Sequence, residues 1–151
     1  MIDGPLAEAY RRTAYVVWQP GRGADEPFVL RHGALHPEWD RFLAREAAGC
    51  REWAMVTAYN PRSKRPPDDA DNVRAHAGLE RELRALTDTV WPGEGRGDDG
   101  AWTPEPMWMA VGISLSEAQR LGQAFGQNAI LHGLLGGPAR IVLCDSGSVL
   151  P

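Results

Sequence analysis

The chain has 151 residues, 43% of them hydrophobic and 24% charged, with a formal net charge of -4 and a pI near 5.5. That composition predicts a single globular domain, 1–151, large enough for a sizeable core. It argues against a chain held to nucleic acid by bulk positive charge. With no apolar run of about 18 residues and no apolar leader, it also predicts neither a membrane span nor a secretory signal.

Residues 6–12 predict a short helix. Thr13-Ala14-Tyr15-Val16-Val17-Trp18 is β-branched and aromatic and predicts a strand. Pro20, Gly21, Gly23 and Pro27 punctuate a turn-rich link. Residues 28–31 predict a second strand, the hairpin partner of the first. Pro37 stands at the first position of a helix whose apolar face is Trp39, Phe42 and Leu43, with Gly49 closing it.

Residues 52–59 predict the next strand. It ends in Asn60-Pro61-Arg62-Ser63-Lys64-Arg65-Pro66-Pro67, a segment suited only to an exposed loop. Asp68, Asp69 and Asp71 then enrich the first turn of a helix, where anions suit the dipole. His76, Leu79, Leu83 and Leu86 form its buried stripe. Residues 89–91 predict a short strand. Residues 92–104, rich in Gly and Asp, predict a flexible insertion, most mobile over 93–100.

The clearest punctuation lies between Glu105 and Gly133. Met107 to Ile113 is an apolar strand. Ser114 and Glu117 form a capping box. Ala118, Leu121, Gly122 and Phe125 make one helical stripe, and Gly126 stops the helix. A strand begins at Ala129, Gly136-Gly137-Pro138 turns the chain, and residues 139–144 return as a hairpin strand.

From Trp53 onward the order is strand, helix, strand, strand, helix, strand, which is the ferredoxin-like split βαβ arrangement. The expected class is α+β: a two-layer sandwich of a mainly antiparallel sheet with helices on one face. Residues 1–51 add N-terminal strands and a helix, and 52–145 form the ferredoxin-like core with a C-terminal hairpin strand.

That topology sends a set of polar residues to one rim of the sheet. Tyr59, Asn60, Arg62 and Ser63 follow the first core strand, and Asn72 lies in the first turn of its helix. Glu105 begins the third core strand, while Gln127 and Asn128 join the second helix to the fourth. Such a rim suits a polar ligand. Glu105 is then the candidate acid or base, and the insertion a candidate lid. Each residue also has a structural reading. Asn60 starts a turn before Pro61, and Asn72 caps a helix. Gln127 and Asn128 satisfy backbone at a helix end, and Glu105 pairs with Arg62.

Other signals are weaker. Gly95 to Gly100 matches G-x-G-x-x-G, but it opens no helix and its aspartates repel a pyrophosphate. Asp98 and Asp99 are a minor metal-ligand reading. Cys50 and Cys144 read as reduced thiols of a cytoplasmic protein. No ligand spacing joins them to His32, His36, His76 or His132, so no metal or other cofactor is expected. Ser63 has no His or Cys partner at a recognisable spacing, which argues against a nucleophile. Trp91, Trp102 and Trp108 form a stacking surface or fill the core. Three functions follow: a site for a small polar or anionic ligand, a protein-interaction module, or nucleic-acid binding through Arg62, Lys64 and Arg65. The net charge disfavours the last.

Thr57-Ala58-Tyr59-Asn60-Pro61-Arg62-Ser63 and Phe125-Gly126-Gln127-Asn128-Ala129-Ile130, with Glu105-Pro106 and Gly112-Ile113-Ser114, carry a resemblance. Over residues 53–130 the chain resembles the bacterial domain-of-unknown-function family 3293. The resemblance implies no particular activity, cofactor or partner.

Overall fold

Most helices of the chain begin where a side chain supplies a partner that the backbone lacks. The structure, a computed structural model, describes residues 2–19, 26–98 and 103–151. Helix α1 (Gly4–Arg11) starts on Asp3, whose carboxylate accepts from the Leu6 N–H at 2.8 Å. Asp68 does the same for α3 (Asp69–Arg84), accepting from Ala70 at 2.9 Å. Ser114 and Glu117 make the complete reciprocal box at α4 (Leu115–Ala124). Helix α2 (Pro37–Glu46) starts on a proline without a side-chain cap.

The strands are β1 (Ala14–Val17), β2 (Phe28–Leu30), β3 (Glu52–Val56), β4 (Thr89–Arg96), β5 (Glu105–Val111), β6 (Ala129–Leu134) and β7 (Arg140–Leu143). They form one curled seven-stranded sheet in the order β2-β1-β4-β5-β3-β6-β7. Every pairing among the described strands is antiparallel. This rules out a doubly wound parallel sheet and confirms the β1–β2 and β6–β7 hairpins.

Successive residues of β3 face opposite ways, and both ways are buried. Trp53 and Met55 join a core with Ala7 of α1 and Trp39, Phe42 and Leu43 of α2. Ala54 and Val56 join a second core with Leu79 and Leu83 of α3 and Ala118 and Leu121 of α4. The expected two-layer sandwich with helices on one face is therefore corrected. Helices cover both faces, with α1 and α2 on one and α3 and α4 on the other. Aromatic packing explains the extra layer: the Trp39 ring lies edge-on to Trp53 at 6.0 Å and to Trp91 at 6.1 Å.

The insertion is also corrected. Residues expected to be mobile from Gly93 onward belong to β4, paired on one side with β1 and on the other with β5. Gly93 sits in a strand interior because a Cβ there would come within 2.4 Å of the Val16 carbonyl oxygen. Pro92 lies where pairing with β1 gives out, and its carbonyl still accepts from Trp18 at 3.0 Å. Residues 20–25 and 99–102 lie outside the described residues. The link at Pro20, Gly21 and Gly23, and the proposed roles of Asp99 and Trp102, fall there.

Among the described residues no helix is long and apolar enough to cross a membrane. Cys50 and Cys144 are both free, and burial, helped by the nearby Asp145 charge, pushes the Cys144 thiol up to about 12.

Candidate functional site

Strand β3 ends at Val56, and the chain then crosses the rim of the sheet through an unusual turn. Asn60, Arg62 and Ser63 all have positive φ, at 48°, 59° and 61°. Asn tolerates the left-handed region, but Arg and Ser stored there cost roughly 1–3 kcal/mol each. The turn is held both by its own bonds and by one from outside. The Arg62 N–H donates to the Gly126 carbonyl at 2.8 Å, the Ser63 N–H to Asn60 at 2.8 Å and the Lys64 N–H to Pro61 at 3.2 Å. Gly126 itself has φ 72°, and a Cβ there would lie 2.9 Å from Pro61 Cβ. The end of α4 and this turn are thus built against each other.

The amides divide into two kinds. Asn72 is buried, at 3% exposure. Its Oδ1 accepts from the Asn60 N–H at 2.9 Å, and its Nδ2 donates to Asn60 Oδ1 at 2.9 Å. Gln127 Nε2 donates to the carbonyls of Tyr59 at 3.1 Å and Phe125 at 3.2 Å. These bonds clasp the turn to α3 and α4. The Tyr59 ring meets the His76 ring edge-on at 5.4 Å, and His76 stacks on Trp108 at 4.5 Å, so Tyr59 is packed as well.

A second group keeps bonding capacity. Asn60 Nδ2 donates to Glu105 Oε2 at 3.1 Å. Asn128 Nδ2 donates to Ser63 Oγ at 3.1 Å, and the Tyr10 hydroxyl lies 3.3 Å from the same Oγ. Burial raises the Glu105 carboxyl above the ordinary glutamate value, against the lowering effect of bonds from Asn60 and Thr57. Burial likewise raises the Tyr10 phenol; bonds with Ser63 and Asn128 oppose the rise, and the Glu105 charge adds to it. Five segments meet here: α1, the turn after β3, α3, the start of β5 and the α4–β6 joint.

Several expectations drawn from the sequence change at this rim, beginning with the pairing of Glu105 and Arg62. Among the described residues Glu105 has no ion pair, and its partner is the Asn60 amide. Arg62 is exposed and makes no ion pair with a described residue. Lys64 and Arg65 are exposed too, and Arg65 approaches Asp69 at 3.7 Å. Asp98, a minor metal-ligand reading, instead pairs with Arg31 at 3.0 Å. Trp91 and Trp108 do not share one surface, because Trp91 packs on Trp39 and Phe42 while Trp108 stacks on His76 across the sheet. Tyr10 had no sequence signal beyond its place near the end of a short helix; the packing of α1 over the rim brings it in.

Residues 56–130 match the family described as "Protein of unknown function (DUF3293)". Tyr59, Asn60, Arg62, Ser63, Asn72, Glu105, Gln127 and Asn128 all fall inside that stretch, and Tyr10 falls outside it. Comparison with the curated proteins and with the solved structures gives no match.

Proposed function

We propose that this rim binds a small polar ligand, with Glu105, Ser63, Asn128 and Tyr10 as its contacts and Glu105 as the available acid or base. Asn60, Asn72, Gln127 and Tyr59 position that surface, and Arg62 borders it. The observation that carries the reading is the joining of Tyr10, Ser63 and Asn128 from three separate segments around a turn held in the left-handed region. Strain of that kind persists where surrounding structure over-determines it, and it gathers at binding sites. The order β4-β5-β3-β6, with α3 and α4 packed on one face, supports a ferredoxin-like core for that part of one domain.

Thermal shift against a panel of small polar compounds tests the reading. A ligand at 100 times its dissociation constant adds about 2.7 kcal/mol of stability. The shift is expected to vanish in the double variant Ser63→Ala, Asn128→Ala while its unliganded stability stays close to the parent. Binding that survives in the double variant, or a panel without a single hit, counts against the site.

A further inference from the structure

The two outermost strands of the sheet, β2 and β7, are joined by the loop that follows β2. Arg31 to Ala34 make a tight turn, with the Ala34 N–H donating to the Arg31 carbonyl at 3.2 Å and Gly33 at φ 82°. That turn abuts the start of β7. The Gly33 N–H donates to the Ala139 carbonyl at 2.7 Å, and the Ala139 N–H donates to the Ala34 carbonyl at 3.1 Å. An outer strand leaves backbone groups without a strand partner on its free edge. On the free edge of β7 the Ile141 carbonyl accepts from the Leu150 N–H at 3.0 Å, and the Ile141 N–H donates to His32 Nδ1 at 2.9 Å. The imidazole stands where a strand carbonyl would.

The same loop repeats the arrangement. The Arg31 N–H donates to His36 Nε2 at 3.0 Å, and the His36 side chain makes no capping bond to α2. A backbone N–H only donates, so each of these ring nitrogens is bare. An imidazolium carries N–H on both nitrogens and accepts nothing, so protonation sets N–H against N–H at both places. The charges around the rings come from three elements. Arg140 of β7 and Arg11 of α1 face His32, and backbone bonds to Pro151 and Leu150 favour its charged form. Asp40 of α2 faces His36. Burial is the largest influence on either ring and holds it below the ordinary histidine value; the two arginines add to this at His32, and Asp40 opposes it at His36.

We infer that this seam is a proton-operated latch: His32 and His36 hold the loop 31–36 against β7 only as neutral rings, and their protonation opens it. Leu30, Ala139, Ile141 and Leu150 belong to the core beneath the seam, so opening it uncovers apolar surface. The sign follows from the bonds. The folded rings take up protons less readily than the unfolded chain does, so the latch is closed above the ordinary histidine range and opens as pH falls through the lower folded values.

NMR of the whole chain between about pH 7.5 and pH 4.5 tests this, reading amide protection relative to the intrinsic exchange rate together with the histidine ring nitrogens. Protection of the Ile141 and Arg31 amides is expected to fall about tenfold, as loss of one hydrogen bond does, while amides of β3 at the centre of the sheet hold theirs. The loss at Ile141 is expected to track protonation of His32, and the loss at Arg31 that of His36. His32→Asn keeps a side-chain acceptor that does not titrate. It is expected to leave Ile141 protected across the range while Arg31 still responds. Where that variant does not fold, the parent's rings decide: His32 Nδ1 and His36 Nε2 are expected to be the unprotonated nitrogens at neutral pH. Rings that titrate while both amides keep their protection overturn the latch. So does a proton found on His32 Nδ1 at neutral pH, or a loss at Ile141 that is the same in the parent and in His32→Asn.

Discussion

Asn72 and Asn128 are amides at one rim with different energetic weight. Asn72 is buried and makes two bonds to Asn60, one with its backbone and one with its side chain. Asn72→Ala strands both partners, so it is expected to cost about 1–3 kcal/mol. Asn128→Ala removes one bond to an exposed serine and is expected to cost less than about 1 kcal/mol. Equilibrium denaturation of the two variants checks the contrast, and equal losses would contradict it. Phe125 shows how a residue's weight shifts with its setting. The periodicity put its ring on the buried stripe of α4, but the helix ends at Ala124 and the ring is half-buried at the cap. Phe125→Ala is expected to cost about 1–3 kcal/mol, below the range for a fully buried phenylalanine. The sequence made Asn60 and Asn128 legible as neighbours because strand direction alone brings them to one rim. It left Tyr10 illegible, since no local pattern says where α1 docks.

Legibility at the scale of elements followed how local the determinants are. The start of α4 was readable because Ser114 and Glu117 act across three residues, and its end because Gly126 adopts φ 72°. The length of β4 was not readable, because Gly93 and Gly95 owe their places to neighbours distant in the chain, Val16 and Met55 for the one and Thr13 and Met107 for the other. Hydrogen exchange tests the revised element. Amides over 93–96 are expected to exchange far more slowly than that of Arg65 in the exposed loop after the turn. Comparable rates would restore the mobile insertion. Gly126 couples two elements. Gly126→Ala forces an alanine into the left-handed region and against Pro61, so it is expected to cost about 1–3 kcal/mol. It is also expected to perturb the Asn60–Ser63 turn in an amide spectrum, whereas an effect confined to α4 would break the proposed coupling.

Across the whole molecule, a sheet buried on both faces leaves its rims as the places where polar chemistry gathers. The second covered face was partly visible in the sequence, since β3 and β5 read as near-continuous apolar runs rather than alternating ones. That burial reaches Glu105 and gives the fold a pH signature with a definite sign. Burial raises its carboxyl above the ordinary glutamate value in the folded chain. Between the unfolded and folded titrations the folded chain therefore holds more protons than the unfolded one, and stability falls as pH rises through that window. Above it the full cost of the ionised carboxylate is present; below the ordinary glutamate range it is absent. Glu105→Gln keeps an oxygen for the Asn60 amide and never ionises. Its stability relative to the parent is expected to be greatest at neutral pH and to shrink as the pH drops through the carboxylate range. Thermal or urea unfolding of both chains from pH 7 down to pH 4 measures that difference directly. A difference that stays constant with pH, or grows on acidification, would mean that Glu105 titrates as an ordinary exposed carboxylate or as a paired one, and the rim would lose the uncompensated charge on which its ligand chemistry depends.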